Sequence, residues 1–114
     1  MSNLHETFKK SYSDILPNQA AQLIKESNPL IVDVREPNEY ADGHIKDSVL
    51  IPLGQLEIRI AELGAKEREI LLVCQSGGRS GYAAGMLSAQ GFTHLSNLVG
   101  GIMAWVREGL PLYK

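Results

Sequence analysis

The apolar positions of this chain change their period several times, and each change marks an element. Leu30-Ile31-Val32-Asp33-Val34 and Ile70-Leu71-Leu72-Val73 are short apolar runs rich in branched residues, which predicts strands buried on both faces of a parallel sheet. Tyr12 to Ile15 and Thr93 to Leu98 predict two further strands. Val49 to Leu53 predicts a fifth, held to a sheet edge or strand end by Pro52, which cannot donate to a ladder. Helical spacing replaces this pattern in between. Pro17 opens a helix with Ala20, Ala21, Leu23 and Ile24 on its apolar face, ended by Ser27-Asn28-Pro29. Leu56, Ile60 and Leu63 predict a helix over Gly54 to Leu63, stopped by Gly64; another runs from about Arg79 or Ser80 to Gln90, with Gly91 as its cap. Gly100-Gly101 reads as a tight turn, and Ile102 to Glu108 as a last helix ended by Gly109 and Pro111. Glu36 to His44 is polar and turn-forming, with one helical turn after Pro37.

Strands alternating with helices predict an α/β fold, a three-layer α/β/α sandwich around a mainly parallel sheet of about five strands. No repeat, low-complexity tract or linker divides the chain, so a single domain over residues 1–114 is expected, with 1–10 a loosely ordered lead-in. Ligands in such folds sit beyond the carboxyl ends of the strands. The segment that leaves the most apolar strand is Cys74-Gln75-Ser76-Gly77-Gly78-Arg79-Ser80.

Composition narrows the function classes. A hydrophobic fraction of 44% and a charged fraction of 21% describe an ordinary folded chain. Eleven basic residues against thirteen acidic ones, with no block of either sign, argue against a nucleic-acid partner. The longest apolar run, Ile70 to Cys74, falls far short of the roughly 20 residues that span a bilayer, so no membrane partner is expected. Met1 to Lys10 lacks the continuous apolar stretch of a signal peptide, and the expected location is the cytoplasm. A monomer and a weak dimer both fit this composition. One cysteine can form no internal disulfide and no clustered metal site; His5 and His94 have no partner at ligand spacing. Neither metal nor cofactor is expected, and Cys74 is either packing filler or a reagent.

The residues after Cys74 decide between those two. A cysteine is nucleophilic as its thiolate, which is favoured where backbone N–H groups and positive charge surround it. Gly77 and Gly78 permit the turns that bring successive N–H groups inward, and the following helix points its unpaired N–H groups and positive dipole end back at the loop. Arg79 is expected to close the loop with its charge, and the Ser76 and Ser80 hydroxyls to donate inward.

This loop resembles the active-site loop of rhodanese domains, in which a Cys, four residues and an Arg precede a helix. Three other stretches agree in order and spacing: Val32-Asp33-Val34-Arg35-Glu36 with Glu39-Tyr40, Gly43-His44-Ile45-Lys46-Asp47-Ser48 leading to Ile51-Pro52, and Leu98-Val99-Gly100-Gly101-Ile102-Met103-Ala104-Trp105. The likeness covers about Tyr12 to Leu112. It implies a sulfurtransferase in which Cys74 takes sulfur from thiosulfate, glutathione persulfide or a protein persulfide, then passes it to a thiol, cyanide or a protein acceptor. In that reading the loop from Gln75 to Ser80 stabilises the anionic persulfide. Two alternatives remain: a non-catalytic rhodanese-like binding or redox-sensing module, and a small phosphatase or arsenate reductase. The latter place five residues between Cys and Arg, against four here, Gln75 to Gly78. The loop also lacks the second basic residue of thiosulfate-handling relatives, which favours a less charged donor.

Other polar residues read as structural. Asp33 is expected to bond loop backbone, Arg35 to pair with an acid such as Glu39, His44 to belong to a turn, and Arg59 to lie on a solvated helix face. Trp105, Ile102 and Val106 share a helical spacing that suits the core.

Overall fold

The computed structural model describes residues 11–114. The predicted lead-in 1–10, with His5, lies outside the described residues. Five strands and five helices follow one another as β1 (Ser13–Ile15), α1 (Pro17–Ser27), β2 (Leu30–Asp33), α2 (Pro37–Asp42), β3 (Val49–Leu50), α3 (Leu53–Leu56), a 3₁₀ turn (Ile60–Leu63), β4 (Glu69–Val73), α4 (Gly78–Ala89), β5 (His94–Leu98) and α5 (Gly101–Arg107). All strand pairs are parallel, in the order β1-β5-β4-β2-β3. The central strand is the most apolar one: β4 pairs with β2 from Leu30↔Ile70 to Asp33↔Val73 and with β5 from Glu69↔His94 to Leu72↔Asn97. Pro52 does leave its strand at an edge, and β3 is only two residues long.

The alternation of side chains along β4 builds two cores. Ile70 and Leu72 pack with Val32, Val34, Leu56, Leu63, Ala83 and Leu87 on one face; Leu71 and Val73 pack with Ala20, Ile31, Leu98, Ile102 and Trp105 on the other. The sheet is thus covered on both sides, by α3 and α4 below and by α1 and α5 above, as parallel sheets require. Helix α1 begins at Pro17, and the Gln19 side chain accepts the Leu16 N–H at 2.7 Å. It ends in a left-handed Asn28 (φ 46°), whose N–H reaches the Ile24 carbonyl.

Three sequence expectations change. The helix over Gly54 to Leu63 is broken: α3 stops at Leu56, and the chain tightens at Arg59 into the 3₁₀ turn. Leu56 and Leu63 are both buried, and their seven-residue separation suits two short turns as well as one continuous helix. Helix α4 begins at Gly78, one residue earlier than expected, because Gly77 serves as its left-handed N-cap (φ 102°). Val106 is half exposed, while Trp105 and Ile102 are core, and the indole N–H of Trp105 donates to the Pro111 carbonyl at 2.9 Å.

Candidate active site

Strand β4 delivers Cys74 to the floor of a short arch at the carboxyl edge of the sheet. Its sulfur accepts the Gly77 N–H at 3.1 Å, and the Ser80 hydroxyl lies 3.3 Å away. The residue is fully enclosed at 0% exposure, whereas Ser76 and Gly78, the crown of the arch, are exposed. Burial pushes the Cys74 thiol up; the Ser80 hydroxyl and the N–H groups of Ser80, Gly77 and Ser76 outweigh it and leave the pKa below that of an ordinary thiol. This is the N–H cradle expected from the glycines, with one difference. The Ser76 side chain sits on the exposed crown, and of the two serines it is Ser80 whose hydroxyl reaches the sulfur.

Ser80 is itself gripped by a residue that sequence reasoning missed. Its hydroxyl donates to Asn97 Oδ1 at 2.5 Å, while Asn97 Nδ2 donates to Asp14 at 3.0 Å and to the Gly77 carbonyl at 3.3 Å. One hydroxyl proton can serve Asn97 or the sulfur, not both. With a neutral thiol it points to Asn97 and the Ser80 oxygen accepts S–H; with a thiolate it turns to the sulfur. The available signal was a polar pair, Ser96-Asn97, between Leu95 and Leu98 in β5; both are buried and so had to find partners.

Helix α5 holds the arch from above. The Ile102 N–H donates to the Cys74 carbonyl at 2.9 Å and the Met103 N–H to the Gln75 carbonyl at 3.2 Å. Gly101 (φ 60°) makes that approach possible, because a Cβ there would stand 2.4 Å from the Cys74 oxygen. Gly100-Gly101 is therefore more than a turn.

The charged residues are sorted differently from expectation. Arg35 does not pair with Glu39. It pairs with Asp33, its neighbour two residues earlier, through Nε at 3.0 and 3.1 Å and Nη2 at 2.8 Å; both residues are buried. Two further Arg35 donors reach the Gly43 carbonyl at 2.8 Å and the Gln75 side chain at 3.1 Å, so this pair anchors the first residue of the arch. Glu39 instead takes Arg79, with both carboxylate oxygens at 2.8 Å from the guanidinium. Arg79 thus leans toward α2 and does not close over the sulfur. Its hydrogen bonds hold the Glu39 carboxyl down to about 2. Arg35, Glu39, Asp42, Gly43, Gln75, Ile102 and Leu112 line an open cavity of about 380 Å³ beside the arch.

His44 is a turn residue, as read: it stacks on Tyr40 with ring centroids 3.8 Å apart, bonds the Tyr40 carbonyl, and bridges to Tyr113. Arg59 lies on a solvated face and pairs with Glu62 and Gln55. Among the described residues, no helix is long and apolar enough to cross a membrane.

The depressed thiol has a measurable consequence. Alkylation of Cys74 by iodoacetamide, followed from low to high pH, should show a midpoint below the ordinary thiol value of about 8.5. A midpoint at or above that value contradicts the cradle. The linked stability has the sign of a depressed acid: it is present above the unfolded thiol pKa and is lost as pH falls through the folded one.

Known proteins resemble this chain in sequence and in fold. Residues 16–108 match the family model described as Rhodanese-like domain. A protein named "Sulfurtransferase" from Allochromatium vinosum is 43% identical over 83 residues, 73% of this chain and 77% of that one. A "Thiosulfate sulfurtransferase GlpE" from Pseudomonas syringae pv. syringae is 34% identical over 92 residues, covering 79% of this chain and 84% of the relative. Against two further relatives the match spans 55% and 59% of their length. In three dimensions, a rhodanese-related protein from Thermoplasma volcanium superposes with a TM-score of 0.80 at 31% identity, over 90% of this chain and 98% of that one.

Proposed function

This chain belongs to the rhodanese-like domain family, and on that premise we propose that it is a sulfurtransferase that carries sulfane sulfur as a persulfide on Cys74. The observation that supports this most directly is a cysteine sulfur that accepts the Gly77 N–H and touches the Ser80 hydroxyl at a strand end, ahead of a helix N-terminus. The thiolate attacks the outer sulfur of a donor. A new S–S bond forms to Cys74, the donor's own S–S bond breaks, and its electron pair leaves with the remainder, sulfite in the case of thiosulfate or a thiolate in the case of a persulfide. The acceptor, a thiol, cyanide or a protein, then attacks the outer sulfur and returns Cys74 as its thiolate. The N–H groups of the arch stabilise both anions, which is electrostatic preorganisation around a charge that moves by one sulfur atom. Gln75, Ser76, Gly77, Gly78, Arg79 and Ser80 build this cradle. A reduced cysteine is needed to begin the cycle, and the cytoplasm supplies that condition.

The resting sulfur is enclosed beneath the exposed crown at Ser76 and Gly78. That enclosure also suits a second reading, a non-catalytic rhodanese-like binding module in which Cys74 is packing. One experiment separates the two. Protein treated with thiosulfate, a thiosulfonate or glutathione persulfide should gain about 32 Da on the Cys74 peptide and lose it to cyanide. No gain with any of these donors would leave the module reading in place.

A further inference from the structure

On the reading that Cys74 is loaded with sulfur, the charge balance around the arch says which donors load it. We propose that the Glu39–Arg79 pair is a selectivity element that disfavours the dianion thiosulfate and favours donors of lower charge, such as a monoanionic thiosulfonate or an alkyl persulfide.

Arg79 is the one cation within the loop, and it is the group a dianionic donor would need. Its guanidinium is committed to Glu39 by two bonds of 2.8 Å. Glu39 is fixed from the other side as well, since it accepts the Glu36 N–H at 3.0 Å as part of the start of α2. Held near 2 by those bonds, the Glu39 carboxyl is charged and paired at neutral pH. Arg35, the other cation at the site, is paired with Asp33 and also bonds Gln75 and Gly43. Further acids face the same space: Asp42 lines the adjoining cavity, and Arg79 feels the charge of Glu36. Four carboxylates (Asp33, Glu36, Glu39, Asp42) therefore surround two guanidiniums, and the thiolate adds one more negative charge. The N-terminus of α4 offsets about half a charge.

The cost of entering such a mouth scales with the charge of the donor, so it bears twice as heavily on a dianion as on a monoanion of the same reactivity. Thiosulfate and methanethiosulfonate make a matched pair. In both, Cys74 forms a bond to the outer sulfur and the S–S bond breaks, releasing sulfite from one and methanesulfinate from the other. The bonds made and broken are the same, while the charge carried in and out differs.

The test is the second-order rate of Cys74 persulfide formation, read by mass, with each donor in the wild type and in Glu39→Gln. Glutamine keeps an acceptor for the Glu36 N–H and for Arg79, so α2 retains its start. Releasing one negative charge should speed loading by thiosulfate about tenfold and by methanethiosulfonate about threefold, the square root of the first effect. A second measurement needs no variant. Raising ionic strength from about 0.01 to about 0.15 M shortens the screening length from about 30 to about 8 Å, and should speed wild-type loading by thiosulfate more than by thiosulfonate. Equal fold-changes for the two donors, or slower thiosulfate loading in Glu39→Gln, overturn the selectivity proposal and leave sulfur transfer standing. If neither donor places sulfur on wild-type Cys74, the sulfurtransferase reading falls, and this proposal with it.

Discussion

Replacing Cys74 with serine is expected to reduce sulfur transfer by at least about 10³-fold, to the level of the uncatalysed exchange. The chemistry requires an atom that is anionic near neutral pH and can form a bond to sulfur stable enough to wait for an acceptor. A serine hydroxyl is neither ionised in this cradle nor able to store sulfur in that way. The surroundings lose little: the Gly77 N–H, 3.1 Å from the sulfur, remains a donor for an oxygen in its place, and the Ser80 oxygen, 3.3 Å away, accepts the new hydroxyl's proton. Thermal stability should therefore stay within about 1 kcal/mol of the wild type. Thiosulfate should also bind at least as well, because the variant removes a negative charge from the floor of the site. Steady transfer assays, a thermal melt and a binding titration on the same preparation check all three. Turnover that survives the substitution would place the carried sulfur somewhere other than Cys74.

Gly101→Ala should damage both the fold and the site. The added Cβ would lie 2.4 Å from the Cys74 oxygen and 2.5 Å from the carbonyl carbon and oxygen of Gln75. All three atoms are backbone, so no side-chain rotation relieves the contact, and at φ 60° alanine is strained even without it. Either α5 retreats or the arch is pushed off its position. Both break the bonds from the Ile102 and Met103 N–H groups to the Cys74 and Gln75 carbonyls. A cost of about 3 kcal/mol is expected, which for a chain of this size lowers the midpoint of thermal unfolding by about 10 to 20 °C. Transfer measured well below that midpoint should fall by about 10²-fold, the usual consequence of moving a reacting atom by an ångström. A melt and a rate like those of the wild type would mean that α5 does not hold the arch.

How far the sequence discloses this site depends on the distance over which each feature acts. Strands β2 and β4 were legible because burial on both faces leaves a continuous apolar run, and the Cys74 arch because its glycines, arginine and serine lie next to one another. The broken helix at Leu56 to Leu63 was not, since a seven-residue spacing of apolar residues is shared by one helix and by two short turns. Charge pairing was misread for a related reason. Arg35 has carboxylates on either side along the chain, and only the fold shows that Asp33 is beside it and that Glu39 faces Arg79, forty positions away. Gly101 and Asn97 act on the arch from later in the chain. A glycine required by close backbone approach looks in sequence like a glycine required by a turn; the buried asparagine in β5 was the one local hint of a polar partner.

The chain has one cysteine, and its sulfur lies under one arch. If Cys74 carries sulfur as proposed, it holds a single atom of cargo or none, and no second thiol of the chain can relieve it. On that cycle loading and unloading use the same sulfur and cannot overlap in time, so donor and acceptor exclude each other. An acceptor in large excess is then expected to slow the cycle by crowding the empty form, which steady-state rates against acceptor concentration check.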